Sequence, residues 1–199
     1  MKKQFLSCLI LFSALIFSCK NKSDDNGELK RTAFISKADS LISVTFDTLK
    51  SSLIRAIGEN NYEGAIAFCY AAASPLTNTY SSDDITIERT SDKYRSPSNA
   101  PDSMEQRIMA AFQQLKNKQV AITPVFEEDK QGKYHYFKPI MLQAMCLNCH
   151  GSKTDQIQPA VWQSIRQKYP ADLAYDYKEG DLRGMWHVIA SKKMRGKVK

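Results

Sequence analysis

The chain has 199 residues, 43% of them hydrophobic and 25% charged, with 28 basic side chains against 21 acidic ones and five cysteines. That length suits one ordinary domain. The average apolar and charge content excludes a fully disordered chain, a collagen-like repeat and a polytopic membrane protein. Five cysteines are too few for a disulfide-dense scaffold of this size. The net charge of +7 is scattered among acids and forms no basic stripe or recognition motif, so no nucleic-acid partner is expected.

Met1-Lys2-Lys3 is a short positive segment, followed by an apolar run from Leu6 to Phe17. Twelve helical residues rise about 18 Å, well short of the roughly 30 Å hydrocarbon core of a bilayer. Residues 1–18 therefore read as a signal peptide rather than a membrane span. Ile16-Phe17-Ser18-Cys19 resembles a bacterial lipobox. The resemblance implies cleavage before Cys19, lipid on that cysteine and a chain anchored in the cell envelope, at the outer membrane or on the periplasmic side. The alternative is a plain secretory signal with Cys19 incidental. Residues 19–28 contain the polar stretch Lys20–Gly27 with nothing apolar to bury, and read as a solvated tether. The domain is then 29–199.

Apolar residues from Leu29 to Ile57 recur at steps of three, four and seven, which predicts one long amphipathic helix ending near Gly58. A second helix is expected from Tyr62 to Ala73, broken by Pro75. Ile85-Thr86-Ile87 opens a short alternating strand, and Ser91–Pro101 reads as a loop. Asp102 and Glu105 form a capping-box-like start for a helix through about Leu115. Val120–Glu127 and Lys133–Leu142 read as a strand pair around an Asp129–Gly132 turn. Ile157–Lys168 reads as a helix and Gly184–Ser191 as a last strand. Helices first, then an antiparallel sheet with inserted helices, gives an α+β fold class.

Once Cys8 is assigned to the signal and Cys19 to lipid, Cys69, Cys146 and Cys149 remain, an odd number that argues against a pure disulfide framework. Cys146-Leu147-Asn148-Cys149-His150 has the C-x-x-C-H spacing of c-type haem attachment. Two intervening residues let both sulfurs reach the vinyl groups on one porphyrin edge, and the adjacent histidine brings an imidazole to the iron. One covalent haem c is the expected cofactor, with Cys146, Cys149 and His150 binding it and His150 ligating the metal. A dithiol, a plain disulfide, or a structural zinc site of Cys69, Cys146, Cys149 and His150 are the competing readings.

Glu88-Arg89-Thr90-Ser91-Asp92-Lys93-Tyr94-Arg95-Ser96-Pro97-Ser98-Asn99-Ala100-Pro101-Asp102-Ser103-Met104-Glu105 resembles the signature of a domain-of-unknown-function family of exported PAS-like c-type haem proteins. Ala65–Cys69, Tyr169–Ala174 and Gly180–Gly184 are similar to further family motifs, so the resemblance spans about residues 35–190. It implies a PAS-like antiparallel sheet flanked by helices, with a long N-terminal helix and Cys69 as second metal ligand. On residue chemistry alone Cys69, on an apolar helix face, reads as core packing rather than as a ligand. His135, His187, Met141 and Met145 are the other candidates for that position.

Arg89, Lys93 and Arg95 could pair with haem propionates, or form a solvated basic loop. Lys192, Lys193, Arg195, Lys197 and Lys199 could lean on anionic lipid, or form a free tail. The expected function is a membrane-anchored electron carrier or redox sensor with a separate, unidentified redox or signalling protein as partner. If protein fills both axial positions no site remains open for oxygen or peroxide, which argues against an oxygenase or peroxidase. A haem enzyme activated by loss of its sixth ligand is the third hypothesis.

Overall fold

The computed structural model describes residues 22–191, with side chains from Gly27 onward. The signal peptide, Cys8, Cys19 and the basic tail at 192–199 lie outside the described residues. The chain runs α1 (Lys22–Asn78), β1 (Ile85–Thr90), α2 (Ser103–Asn117), β2 (Val125–Glu128), β3 (Tyr134–Met141), α3 (Leu147–His150), α4 (Pro159–Lys168) and β4 (Leu182–Ala190). Among the described residues no helix is long and apolar enough to cross a membrane.

The two expected N-terminal helices are one element with a break. Asn60 and Asn61 leave helical geometry, Asn61 at φ 57° and ψ −171°, a positive-φ backbone that non-glycine residues rarely adopt and that interrupts the helix. Asn61 Oδ1 then accepts the Gly64 amide at 3.2 Å and starts the second segment as a cap. Gly64 is required here, because a Cβ at that position would lie 2.2 Å from Asn60 Cβ. Three boundaries differ from expectation. α1 already begins at Lys22, inside the stretch read as tether. Pro75 sits within the helix rather than ending it, since one missing N–H so near the terminus removes a single backbone bond. Residues 120–124 form no strand, and β2 starts only at Val125, where pairing with Phe137 becomes available.

The sheet order is β1-β4-β3-β2 and every neighbouring pair is antiparallel. The β2–β3 turn is built as expected. Asp129 Oδ1 accepts the amides of Gln131 and Lys133, an Asx-type turn, and Gly132 takes φ 75°. The strand period of two sorts side chains onto opposite faces. Trp186, Val188, Tyr134 and Tyr136 pack against Phe34, Ala38 and Ile42 of α1. Phe137 and Met185 pack against Ile108, Met109 and Phe112 of α2. The α2 start carries a complete capping box, with Glu105 N to Asp102 Oδ1 at 2.8 Å and Asp102 N to Glu105 Oε2 at 2.9 Å. A smaller cluster of Ile66, Ile157, Val161 and Ile165 ties the second segment of α1 to α4. The α+β fold with an antiparallel sheet flanked by helices and a long N-terminal helix stands as expected.

Candidate functional site

Between the second half of α1, the ends of β1, β3 and β4, and α3 lie three adjoining cavities of about 200, 180 and 180 Å³. The C-x-x-C-H segment forms a 3-10 turn at Ala144–Cys146 and the single turn of α3, an element with no sequence signal beyond the motif itself. Cys146 and His150 line the first cavity, Cys69 and Cys146 the second, and Cys69 and His150 the third. The fold thus brings together groups 77 to 81 residues apart in sequence. Cys149 is half-buried against the α1–α4 cluster. The second cavity has an apolar lining that includes Phe46, Leu49, Leu53, Phe68, Ile140 and Trp186. Met141 borders the first cavity and Met145 the second.

His150 is held by its outer ring nitrogen. Nδ1 lies 2.8 Å from the Ala174 carbonyl oxygen, so it carries the proton and donates it there, which leaves Nε2 as the free basic nitrogen. Burial, followed by the nearby Arg95 charge, holds the imidazole well below its usual pKa, so it is neutral. The amide of Tyr177 donates to the His150 carbonyl and that of Asp176 to the Gly151 carbonyl, fixing the backbone behind the ring.

Burial pushes the Cys69 thiol up, partly offset by Arg95 and Arg89. Burial also lifts Cys149, to about 11, against the opposing charge of Arg95. A redox-active dithiol shows the reverse shift and a βαβ setting, and this sheet is antiparallel throughout. Zinc at about 2.3 Å from each sulfur would draw the donors to about 3.8 Å from one another. Among the described residues the one group of three His, Cys, Asp or Glu donors within 4.8 Å of each other is Glu88, Glu105 and His187, which is a different place.

Arg89, Arg95 and Arg183 converge on the third cavity. Arg89 is pulled down to about 10 by burial and then by the Arg183 charge, and its Nε is enclosed without a partner. Arg183 donates to Ser91 Oγ and the Lys93 carbonyl, a role the sequence did not single out. Its signal was present in the Gly180–Gly184 motif. Arg95 is already engaged, through Nε with Asp172 and through Nη2 with the Cys149 and Ala174 carbonyls. Lys93 likewise donates to the Tyr175 carbonyl and lies over the Tyr177 ring, 4.3 Å from its centroid. The two buried side-chain polar atoms without a partner among the described residues, Arg89 Nε and Asp172 Oδ2, both belong to this region.

His135 and His187 are elsewhere. Strand alternation puts both on the α2 face of the sheet, opposite to the Ile140 and Trp186 side chains that line the cavities. There His187 Nε2 meets His135 Nδ1 at 2.9 Å, which removes both from candidacy as the partner of His150.

The Tll0287-like family model matches residues 20–191. No curated protein matches the sequence. The crystal structure of the cyanobacterial heme-protein Tll0287 superposes with a TM-score of 0.54, at 27% identity, covering 76% of this chain and 92% of that one. A match over that span, on a chain whose motifs converge on one cleft, shows that this protein belongs to the Tll0287-like family.

Proposed function

We propose that the protein is a c-type haem protein of the cell envelope, lipid-anchored through Cys19, that works as a one-electron redox centre in electron transfer or redox sensing. The observation that carries this reading is His150, a neutral imidazole whose Nδ1–H is fixed on Ala174 while Nε2 is free, beside Cys146 in a cleft shared with Cys69. Histidines that ligate metals characteristically donate the other ring N–H to a carbonyl or carboxylate. The matched cyanobacterial structure is that of a heme-protein, which supports the same cofactor.

The residues present fit the group. Cys146 and Cys149 are free thiols at the spacing thioether attachment needs, His150 and Cys69 would hold the iron, and the apolar wall from Phe46 to Trp186 suits a macrocycle. Arg89, with its unpartnered Nε, and Arg183 are cations that match the two propionates. When bound, the haem supplies reversible one-electron chemistry at its iron. The protein's part is to exclude water with the α1 wall, to orient the His150 ring and to surround the site with positive charge.

The test is the protein matured with haem c in cells that attach it. Colour that stays with the polypeptide through acid extraction in organic solvent supports covalent attachment. Colour that leaves, or one equivalent of zinc without a Soret band, overturns it. Cys69→Ala should convert a low-spin ferric spectrum to one that binds cyanide readily, and an unchanged spectrum would leave Cys69 a packing residue. Cys19→Ser should release the protein from the membrane fraction with haem content intact.

A further inference from the structure

Behind His150 lies an ion pair that the chemistry above does not use. Asp172, from the loop after α4, has its side chain fully enclosed, and Arg95, from the loop after β1, is 11% exposed. Asp172 Oδ1 accepts Arg95 Nε at 3.2 Å and the Ala174 amide at 2.9 Å. Arg95 Nη2 donates to the Cys149 carbonyl at 2.6 Å and the Ala174 carbonyl at 3.0 Å. The residue whose carbonyl takes the His150 proton is therefore held from both sides, its amide by Asp172 and its oxygen by Arg95. The same Nη2 is 3.3 Å from His150 Nδ1.

Hydrogen bonding alone does not account for the pair. Asp172 Oδ2 is enclosed with no donor, so burying this carboxylate is not offset by hydrogen bonding at that oxygen. A neutral amide would serve Arg95 Nε and the Ala174 amide equally through its own oxygen. What asparagine could not supply is the negative charge. The Arg95 guanidinium beside the ring disfavours any positive charge on the imidazole or on what it binds, and Asp172 offsets that field in a poorly solvated place.

We propose that Arg95 and Asp172 are positioning residues for His150, fixing its tautomer and ring plane through Ala174 while the balance of their two charges sets the reduction potential of the group His150 ligates. This rests on the haem reading. Positive charge left unbalanced near the iron favours the reduced state, and its removal favours the oxidised state.

The experiment is a midpoint-potential titration of the holoprotein and its variants, with ferric electron paramagnetic resonance alongside. Asp172→Asn, which keeps the acceptor and loses the charge, should shift the potential upward. Arg95→Gln should shift it downward. The double variant Arg95→Gln/Asp172→Asn, neutral and still hydrogen-bonding, should return it toward the wild type, and it guards against a single variant that fails to fold. Arg95→Lys should hold the potential near wild type while broadening the low-spin ferric signal, because the charge stays and the fork that pins Ala174 is lost. Shifts of the same sign, or potentials that do not move in variants with full haem, overturn this inference alone. Wild-type protein without a Soret band overturns the haem reading and this inference together.

Discussion

His150 and His187 are both withdrawn from solvent, yet their surroundings differ in kind. His187 stands in a closed chain: Nδ1 is 2.9 Å from Glu105 and 3.3 Å from Glu88, Nε2 is 2.9 Å from His135, and His135 Nε2 is 3.3 Å from Asp129. Every ring nitrogen has a partner, and the chain ends in a carboxylate on each side. Filling the three links from Glu105 to Asp129 takes three protons, one more than two neutral imidazoles carry. Burial opposes a positive charge on His187, but its hydrogen bonds to the Glu105 and Glu88 carboxylates outweigh burial and raise its pKa. His150 is instead kept neutral, with Nε2 free, among arginines and beside both orphaned polar atoms. A satisfied buried network fixes structure, and an unsatisfied one marks where something else is meant to bind.

The contrast is broken most forcefully by deleting each histidine in turn. His187→Ala should lower stability by about 3–5 kcal/mol, since it strands the buried Glu105 carboxylate and removes a ring stacked 4.2 Å from Phe137. Denaturant unfolding of the haem-free chain measures it. His150→Ala should cost the same haem-free chain no more than about 1–2 kcal/mol, the worth of its one hydrogen bond to Ala174. It should abolish the low-spin spectrum of the holoprotein. Equal stability losses at the two positions would erase the distinction drawn here.

The pH dependence sharpens it. His187 has a folded-state pKa above its unfolded value, so its contribution is fully present below about 6.5 and is lost as pH rises through the folded value. Stability measured from pH 6 upward should fall in the wild type. In Glu105→Gln, where the main hydrogen bond that raises the pKa is weakened, the fall should be smaller and should end at lower pH. The facing charges are Glu88 on β1, Glu105 on α2, Asp129 in the β2–β3 turn and Glu127 on β2, the last paired with Arg107 at 2.5 Å. An identical pH profile in Glu105→Gln would mean the proton sits elsewhere.

The smallest effect belongs to the outer end of that chain. Asp129→Asn can keep the turn through its amide oxygen but places NH₂ against His135 Nε2, losing about 1 kcal/mol. Denaturation should register it, and the haem potential should stay put, because Asp129 lies on the far side of the sheet from the cleft. A moved potential would show that the two sites are coupled.

Much of this was legible in residue order because the signals are local. The capping box at Asp102 and Glu105, the Asp129–Gly132 turn and the alternation of β3 and β4 each depend on neighbours a few positions away. Val120–Thr123 misled because alternation promises a strand only where a partner strand is in reach, and pairing begins at Val125. Pro75 misled because the rule against proline presumes a helix interior, and this one is three residues from the end. Cys146, Cys149 and His150 could be grouped from spacing alone. Arg183 and Asp172 could not, since their importance comes from carbonyls and guanidiniums contributed by other loops.

By itself, then, the sequence determined the α+β class, most of the strands and caps, the C-x-x-C-H motif and, through its motifs, the family. Tertiary structure decided which histidine is available and which arginine is committed. It put His135 and His187 on the α2 face and brought Cys69 to the cleft that His150 lines. It also closed Arg95 and Asp172 behind that ring. The physical reason is range. Propensity, capping and turn chemistry act over a few residues, whereas hydrogen-bond satisfaction and the field at a buried nitrogen depend on every segment that folds against it.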